Sequence, residues 1–247
     1  MDQILVADRF NGPIGSGNGG YFSGIAATCL EGPVEVSLRA PVPLDTQLNV
    51  EPDGDGVRIT SGDTLVATAD RSGPVDLEIP PPVDPDTARL ASEGYIAPAE
   101  GMFSQCFVCG RGRHDSLGVF AGSVPGRDLA ASPWTPPDWT ADESGLVREE
   151  FIWAVLDCPT YFAIYTDEMV TSFLVRQKVE IRRRPRAGEL TVVIAWPLGS
   201  EGRKRFAGAS LLSAEGDVLA VGDALLVETG GRSGIHLSFR SPAPHRS

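Results

Sequence analysis

Hydrophobic and polar residues alternate in two separate parts of the chain, and each alternating part follows a continuous apolar stretch. The first part, residues 34–70, is interrupted by turn residues and predicts an antiparallel meander of strands. The second part predicts four more strands, at residues 173–184, 189–198, 205–213 and 218–228. The apolar stretches 17–31 and 147–165 each predict a buried helix. Each half of the chain is therefore predicted to be one helix followed by a meander.

The two halves also match each other in sequence. Asn18 at the start of the first helix corresponds to Arg148 at the start of the second. With these two residues aligned, the apolar positions that follow in the two helices match. The loop 43–48 matches 185–190, and the turn 62–67 matches 216–221. Because the three matches occur in the same order, they favour a true internal repeat. A hydrophobic content of 42% is enough for a core in both halves.

This repeat sets the predicted domain organisation. Residues 1–72 form an N-terminal unit and residues 103–229 a C-terminal unit. The segment 73–102 is rich in proline and acidic residues, which predicts a stiff connector held against the surface. Residues 230–247 contain Gly, Ser and Pro without any period and predict a loosely held tail.

Charge and hydropathy exclude several classes of partner. A formal net charge of −12 argues against a nucleic-acid-binding protein, which would carry a basic face. No apolar run approaches the ~18 residues of a membrane span, and the N-terminus lacks the features of a signal peptide. We therefore expect a cytoplasmic protein that acts on a small molecule, with neither nucleic acid nor membrane as partner.

The four cysteines agree with a reducing compartment. Cys29 and Cys158 fall within the predicted helices, where a thiol packs as a small apolar residue. Cys106 and Cys109 form a C-x-x-C, which we interpret as a tight turn with two buried thiols. A metal site and a redox pair are the alternatives. Because no second pair stands at suitable spacing, we predict no metal.

The two helices differ in a way that points to chemistry. The first begins with glycines and carries Ala27 where the second carries Asp157, and the second has no glycine-rich start. A glycine-rich helix start presents unpaired N–H groups that can bind a polarised carbonyl, although close packing is an equally simple reason for the glycines. Asp157 also precedes Pro159, so a role in bending the helix is the structural alternative.

A buried helix with a Gly-Gly start and antiparallel strands behind it, present twice, resembles the hotdog fold, in which a curved sheet wraps one long helix. The motifs are similar to those of acyl-CoA thioesterases. Gly17-Asn-Gly-Gly looks like their His-Gly-Gly helix start, with Asn18 in place of the His. Cys106-Phe-Val-Cys-Gly before Leu117-Gly-Val-Phe looks like the opening of the phenylacetyl-CoA type. The predicted fold class is α+β, with two fused hotdog units forming an intrachain double hotdog.

The resemblance also implies where the site lies. In that family the helix start of one hotdog faces an acid of its partner, nine residues after the motif His, and the second copy here places Asp157 at that position. We expect one composite catalytic site, in which Asp157 is general base or nucleophile and Asn18 positions water or the carbonyl. The N–H groups of Gly19 and Gly20 would stabilise the oxyanion. The opposite pseudo-site, which pairs Arg148 with Ala27, should be inactive.

Further residues are candidates for substrate binding. Tyr21, Trp153 and Tyr161 are aromatic residues of the helices, for which core packing is the alternative. Arg182 and Arg184 belong to a basic cluster that could bind the phosphates of coenzyme A or form a solvated sheet face. Coenzyme A enters only as part of the substrate, and no cofactor is predicted.

Two other functions remain open at this stage. A non-catalytic module that binds acyl-CoA or an acyl carrier would keep the pocket without needing Asp157. A hotdog hydratase or dehydratase fits less well, because His114, His236 and His245 lie outside both helices. The acyl group, its carrier and assembly into a homodimer are not determined by the sequence.

Overall fold

A computed structural model of the chain describes residues 2–96, 103–166 and 170–229, which form one antiparallel sheet and four α-helices. The predicted tail 230–247 with His236 and His245, and the end of the connector at 97–102, lie outside the described residues. The first half contains β1 (Gln3–Leu5), α1 (Gly19–Ala27), β2 (Val34–Leu38), β3 (Gln47–Asp53), β4 (Gly56–Ser61) and β5 (Thr64–Arg71). The connector contains α2 (Pro85–Glu93). The second half contains β6 (Gly122–Ser123), β7 (Ala130–Trp134), α3 (Glu149–Val155), α4 (Cys158–Ile164), β8 (Ser172–Ile181), β9 (Thr191–Glu201), β10 (Lys204–Ser213) and β11 (Val218–Glu228).

The strand order shows two related halves joined edge to edge. Along the sheet the strands follow the order β1-β3-β4-β5-β2-β8-β11-β10-β9-β7-β6, so that β2 and β8 meet at the centre. Their register pairs Glu35 with Lys178 and Ser37 with Arg176. Outward from this seam the first half reads 2-5-4-3-1 and the second reads 8-11-10-9-7-6, so β6 is the one described strand without a counterpart. The predicted pair of helix-plus-meander units is confirmed; the limits of the two units stay a prediction, because one sheet runs through both.

The repeat extends further towards the N-terminus than the sequence matches indicated. Short 3-10 turns at Asp8–Phe10 and Asp138–Thr140 stand at the same offset (138 − 8 = 130) as the helix caps Asn18 and Arg148 (148 − 18 = 130). The backbone N–H of Asn18 donates to the carbonyl of Phe10 at 2.9 Å, and that of Arg148 donates to the carbonyl of Thr140 at 3.0 Å. These contacts use the backbone, which explains why side-chain similarity did not reveal them.

The second helix is broken where the sequence predicted one continuous helix. The stretch 147–165 forms α3 and α4, with Asp157 between them as the N-cap of α4. Pro159 lacks the N–H that would bond back to Val155, and its ring crowds the preceding turn. The break therefore follows from Pro159, and it places the Asp157 side chain at a corner.

Connector helix α2 covers the outer face of the second half. Helix α2 packs through Ala88 and Ala91 on one face of β7 and β9, against Ala131, Val192 and Ile194. The alternate residues of these two strands belong to the main core, together with α1, α3 and α4. Strands β7 and β9 are thus buried on both faces, which explains their continuous apolar runs. Within the described ranges no helix is long and apolar enough to cross a membrane.

Helices α1 and α3 pack in unusually close contact through two glycines one turn apart. An added Cβ at Gly24 would lie 2.5 Å from Cα of Glu150, and one at Gly20 would lie 2.8 Å from the carbonyl oxygen of Trp153. Distances below 3.0 Å to backbone atoms cannot be relieved by a side-chain rotation. The helices can therefore approach in this way only with glycine at both positions.

Gly24→Ala should destabilise the protein although alanine favours helix formation. We expect a loss of about 1–3 kcal/mol, typical of an overpacked core, because α1 and α3 must separate. Gly73→Ala is the matched control, since an added Cβ there meets nothing within 4 Å. Urea unfolding of both variants checks the prediction, and equal midpoints would contradict the tight helix contact.

Candidate active site

A cavity of about 360 Å³ lies beside the seam, and both halves line it. The first half contributes the start of α1 and the end of β2, and the second contributes the corner at Asp157 and the start of β8. Most of the surface is apolar, from Leu38, Val42, Phe103, Tyr161, Phe173 and Leu174. Two polar residues of the wall, Asn18 and Asp157, are hydrogen-bonded to each other, and we call this part of the cavity its polar end.

Asn18 is fixed by its role as the N-cap of α1. Its Oδ1 accepts the N–H of Tyr21 at 2.9 Å, which is the standard capping bond. That bond defines the orientation of the amide, so Nδ2 points towards the second half and donates to Oδ2 of Asp157 at 3.3 Å. Asn18 is buried, with 3% of its surface exposed. The cap and the contact to Asp157 are made by one side chain.

Asp157 reaches across the helix interface to the start of α1. The backbone N–H of Gly20 donates to its Oδ2 at 3.0 Å. An added Cβ at Gly20 would lie 2.6 Å from Cβ of Asp157, so glycine is required for this approach. The structure thus brings together Asn18, Gly20 and Asp157, which the sequence analysis assigned to one site.

The role expected for Gly20 needs correction. We expected its N–H to face a thioester carbonyl, whereas in the structure this N–H is bonded to the Asp157 carboxylate. Gly19 lies on the cavity wall, and within the described residues no hydrogen bond is found for its N–H. Of the two expected donors, Gly19 is therefore the one left available for a carbonyl.

Burial, together with a smaller effect of the nearby Cys106, raises the pKa of Asp157 to about 7. The hydrogen bonds from Gly20 and Asn18 lower the pKa but do not compensate for the loss of water. A carboxyl group with this pKa is partly ionised near neutral pH, which suits a general base.

Three thiols adjoin the carboxylate. Cys106 and Cys109 lie on the predicted tight turn, which is closed by the N–H of Gly110 donating to the carbonyl of Cys106 at 2.8 Å. Cys158, directly after Asp157, places its Sγ 3.7 Å from that of Cys106. The sequence analysis did not group Cys158 with this pair, since 49 positions separate it from Cys109 (158 − 109). All three thiols line the cavity.

The aromatic candidates separate into one cavity residue and two core residues. Tyr161 lines the cavity. Tyr21 does not, because its ring stacks on Phe10 at 4.3 Å between centroids within the core. Trp153 is buried with 3% exposure and is absent from the cavity wall. Tyr21 and Trp153, predicted to bind substrate, therefore lie away from the cavity wall, because both side chains pack in the core.

The predicted phosphate cluster is also displaced from the cavity. Arg182 pairs with Glu180 at 3.2 Å and Arg184 with Asp142 at 2.7 Å, and neither lines the cavity. The basic residue of the cavity wall is Arg39, which directly follows β2, is exposed and forms no ion pair with the described residues. Arg39 could have been predicted as a site residue from its position directly after β2, the strand at the centre of the sheet.

The opposite pseudo-site lacks a carboxylate from the other helix. Ala27 of α1 occupies the position equivalent to Asp157, at the same offset of 130 (157 − 27). Arg148 gives no side-chain cap to α3 and pairs with Glu150 at 3.4 Å. His114, the one histidine among the described residues, is exposed and does not line the cavity.

Comparison with solved structures establishes the fold. The chain is similar to the tesB protein of Mycobacterium avium subsp. paratuberculosis, with TM-score 0.60 and 12% identity over 92% of each chain. It is also similar to a Novosphingobium aromaticivorans protein provisionally described as a thioesterase, with TM-score 0.61 and 15% identity over 92% of this chain and 95% of that one. A hotdog-fold protein of unknown function from Alicyclobacillus acidocaldarius gives TM-score 0.56 and 12% identity over 93% of each chain. No family model and no curated protein matches the sequence.

These likenesses and the strand order define the class: the chain has the double hotdog fold. The fold predicted from the Gly-Gly helix start and the repeated meander is confirmed. At identities of 12–15% the likeness concerns the architecture, and the activity must be argued from the site.

Asp157→Asn should change how stability depends on pH. The folded protein holds a proton on Asp157 up to about pH 7, whereas the unfolded chain loses it near the ordinary value of 3.8. Wild-type stability should therefore fall as pH rises through that window, and the variant should lack this loss. The difference in unfolding free energy, variant minus wild type, should grow by on the order of 2–4 kcal/mol between pH 4 and 8. A difference that is constant with pH would contradict the raised pKa of the buried carboxyl group.

Proposed function

We propose that the chain is a hydrolase of small acyl thioesters with one composite site. The observation that carries the proposal is the buried carboxylate of Asp157, which one half presents to the helix start of the other inside an apolar cavity. A carboxyl group with pKa about 7 can activate water, and a free N–H group of the adjoining helix start can stabilise the developing negative charge.

The chemistry follows from this geometry. The thioester carbonyl would accept the N–H of Gly19, while Asp157 removes a proton from water as the water oxygen attacks the carbonyl carbon. The tetrahedral intermediate then collapses, the carbon–sulfur bond breaks, and the leaving thiolate takes back the proton from Asp157. In the nucleophilic alternative Asp157 attacks the carbonyl carbon itself and expels the thiolate, and water then attacks the Asp157 carbonyl carbon of the resulting anhydride to release the acid. Asn18 holds Oδ2 of Asp157 in both routes.

The cavity favours an acyl or aryl group of moderate size. Its volume of about 360 Å³ lies at the small end of the usual range for ligand pockets. Its wall is formed by aliphatic and aromatic side chains, among them Leu38, Phe103 and Phe173. The acyl group would occupy this apolar part and place its carbonyl at the polar end.

Arg39 supports coenzyme A as the carrier. Its guanidinium group is exposed at the cavity, without an ion pair among the described residues. Coenzyme A carries a diphosphate and a ribose phosphate, which arginine binds through paired hydrogen bonds.

A non-catalytic acyl-thioester binding protein is the second candidate, and one observation favours it. The N–H of Gly20 is bonded to Asp157, which leaves fewer free donors for an oxyanion than a complete oxyanion hole provides. Parallel measurement of binding and turnover separates the two functions.

Asp157→Asn should retain acyl-CoA binding and lose turnover by ~100-fold or more, as expected for removal of a general base. Asp138→Asn, an exposed charge change near the same helix, is the control and should keep wild-type activity. Wild-type kcat/KM should rise with pH with an apparent pKa near 7. Binding without hydrolysis by the wild type would identify the chain as a binding protein instead.

Single turnover in ¹⁸O-labelled water then distinguishes the routes, because only the nucleophilic route puts label into Asp157.

Arg39→Ala should raise KM for acyl-CoA by about tenfold, the value of one charge-assisted contact, and leave kcat nearly unchanged. With the same acyl group on a phosphate-free pantetheine thiol, the variant and the wild type should give equal KM. Arg182→Ala removes a similar exposed charge away from the cavity and should behave as wild type with both substrates. An equal effect of Arg39→Ala on both thioesters would exclude phosphate recognition.

A further inference from the structure

Three cysteine side chains meet at the polar end of the cavity. Cys106 and Cys109 come from the turn that opens the second half, and Cys158 comes from the first position of α4. Their sulfur atoms all lie within 4.8 Å of one another, and Sγ of Cys106 lies 3.7 Å from Sγ of Cys158. The mechanism proposed for thioester hydrolysis uses none of them.

We propose that Cys106, Cys109 and Cys158 bind a zinc ion as three thiolate ligands, with the fourth coordination position open to the cavity. Zinc–sulfur bonds of ~2.3 Å in tetrahedral geometry place two sulfurs roughly 3.8 Å apart. The 3.7 Å between Cys106 and Cys158 meets that separation. It is far longer than the ~2.05 Å of a disulfide.

The backbone around the sulfurs is held in place from several sides. The phenol of Tyr95 donates to the carbonyl of Cys109 at 2.7 Å. Arg113 reaches across the loop and donates to the carbonyl of Gln105 at 3.0 Å and to Oδ1 of Asn11 at 2.6 Å. Because each ligand is tied to a different part of the fold, the site needs little rearrangement to accept an ion.

Asn18 provides a hydrogen bond typical of a thiolate site. Its Nδ2 lies 3.9 Å from Sγ of Cys106 and 3.9 Å from Sγ of Cys158. N–H donors of this kind stabilise thiolates and orient the ligands of a metal. The same amide donates to Asp157, so Asn18 would contact both the zinc ligands and the proposed base.

The charges also favour a cation. Three thiolates in this cluster would carry three negative charges, which cannot coexist in the interior without a cation. Zinc binding would displace the thiol protons and neutralise two of the three charges.

Three protein ligands leave one position free, as in zinc sites that hold a water or a substrate atom. All three cysteines line the cavity, so that position faces the space proposed for the substrate. The proposal departs from our sequence interpretation, which expected no metal because no second cysteine pair was present. The third ligand instead comes from the helix corner that Pro159 creates.

The test is metal content together with cobalt spectroscopy, and neither depends on thioesterase activity. Protein purified without a metal-affinity tag under reducing conditions should contain on the order of one zinc per chain after loading and dialysis. Cobalt exchanged into the wild type should give a tetrahedral spectrum with a sulfur-to-cobalt charge-transfer band of the intensity of three thiolates.

Cys106→Ser and Cys158→Ser should each abolish stoichiometric zinc and reduce the charge-transfer band, while Cys29→Ser, a partly buried cysteine outside the cluster, should keep both. Circular dichroism identifies variants that fail to fold. The cobalt spectrum of the wild type tests for thiolate ligands independently of the variants. Loaded wild type that retains no zinc, a cobalt spectrum without thiolate character, or a Cys106–Cys158 disulfide that persists in reducing buffer would overturn the proposal.

Discussion

The close contact between α1 and α3 is the constraint on which the rest of the site depends. Gly20 and Gly24 bring the two helices so near that a methyl group at either position would strike the opposite backbone. This approach places the carboxylate of Asp157 within 3.0 Å of the first turn of α1. The seam between β2 and β8 holds the two halves in register, so each half provides one part of the site.

Of the two equivalent positions in the duplicated architecture, only Asp157 provides a carboxylate, and its surroundings explain why. A buried carboxylate is costly unless it is hydrogen-bonded, and Asp157 obtains bonds from Gly20 and Asn18 that the other helix start does not offer. There the cap is Arg148, paired with Glu150, and Ala27 stands opposite.

Periodicity and the internal repeat allowed prediction of two helix-plus-meander units, and the resemblance of their motifs to hotdog thioesterases implied the double hotdog and the pairing of Asn18 with Asp157. Periodicity shows that a helical residue is buried but not which neighbour it meets, so Tyr21 and Trp153 were placed in the site although they pack in the core. The contact of Cys158 with the C-x-x-C turn joins distant segments and has no local signal. The role of Gly20 depends on atomic spacing between two helices, which no sequence pattern records.

The most direct test of the composite site is a calorimetric titration with a non-hydrolysable thioether analogue of acyl-CoA. If one helix start and one carboxylate form a single pocket, each chain should bind one ligand, and Gly20→Ala should abolish that binding by displacing Asp157. Two ligands per chain, or one ligand whose affinity is unchanged in Gly20→Ala, would contradict a site built jointly by the two halves.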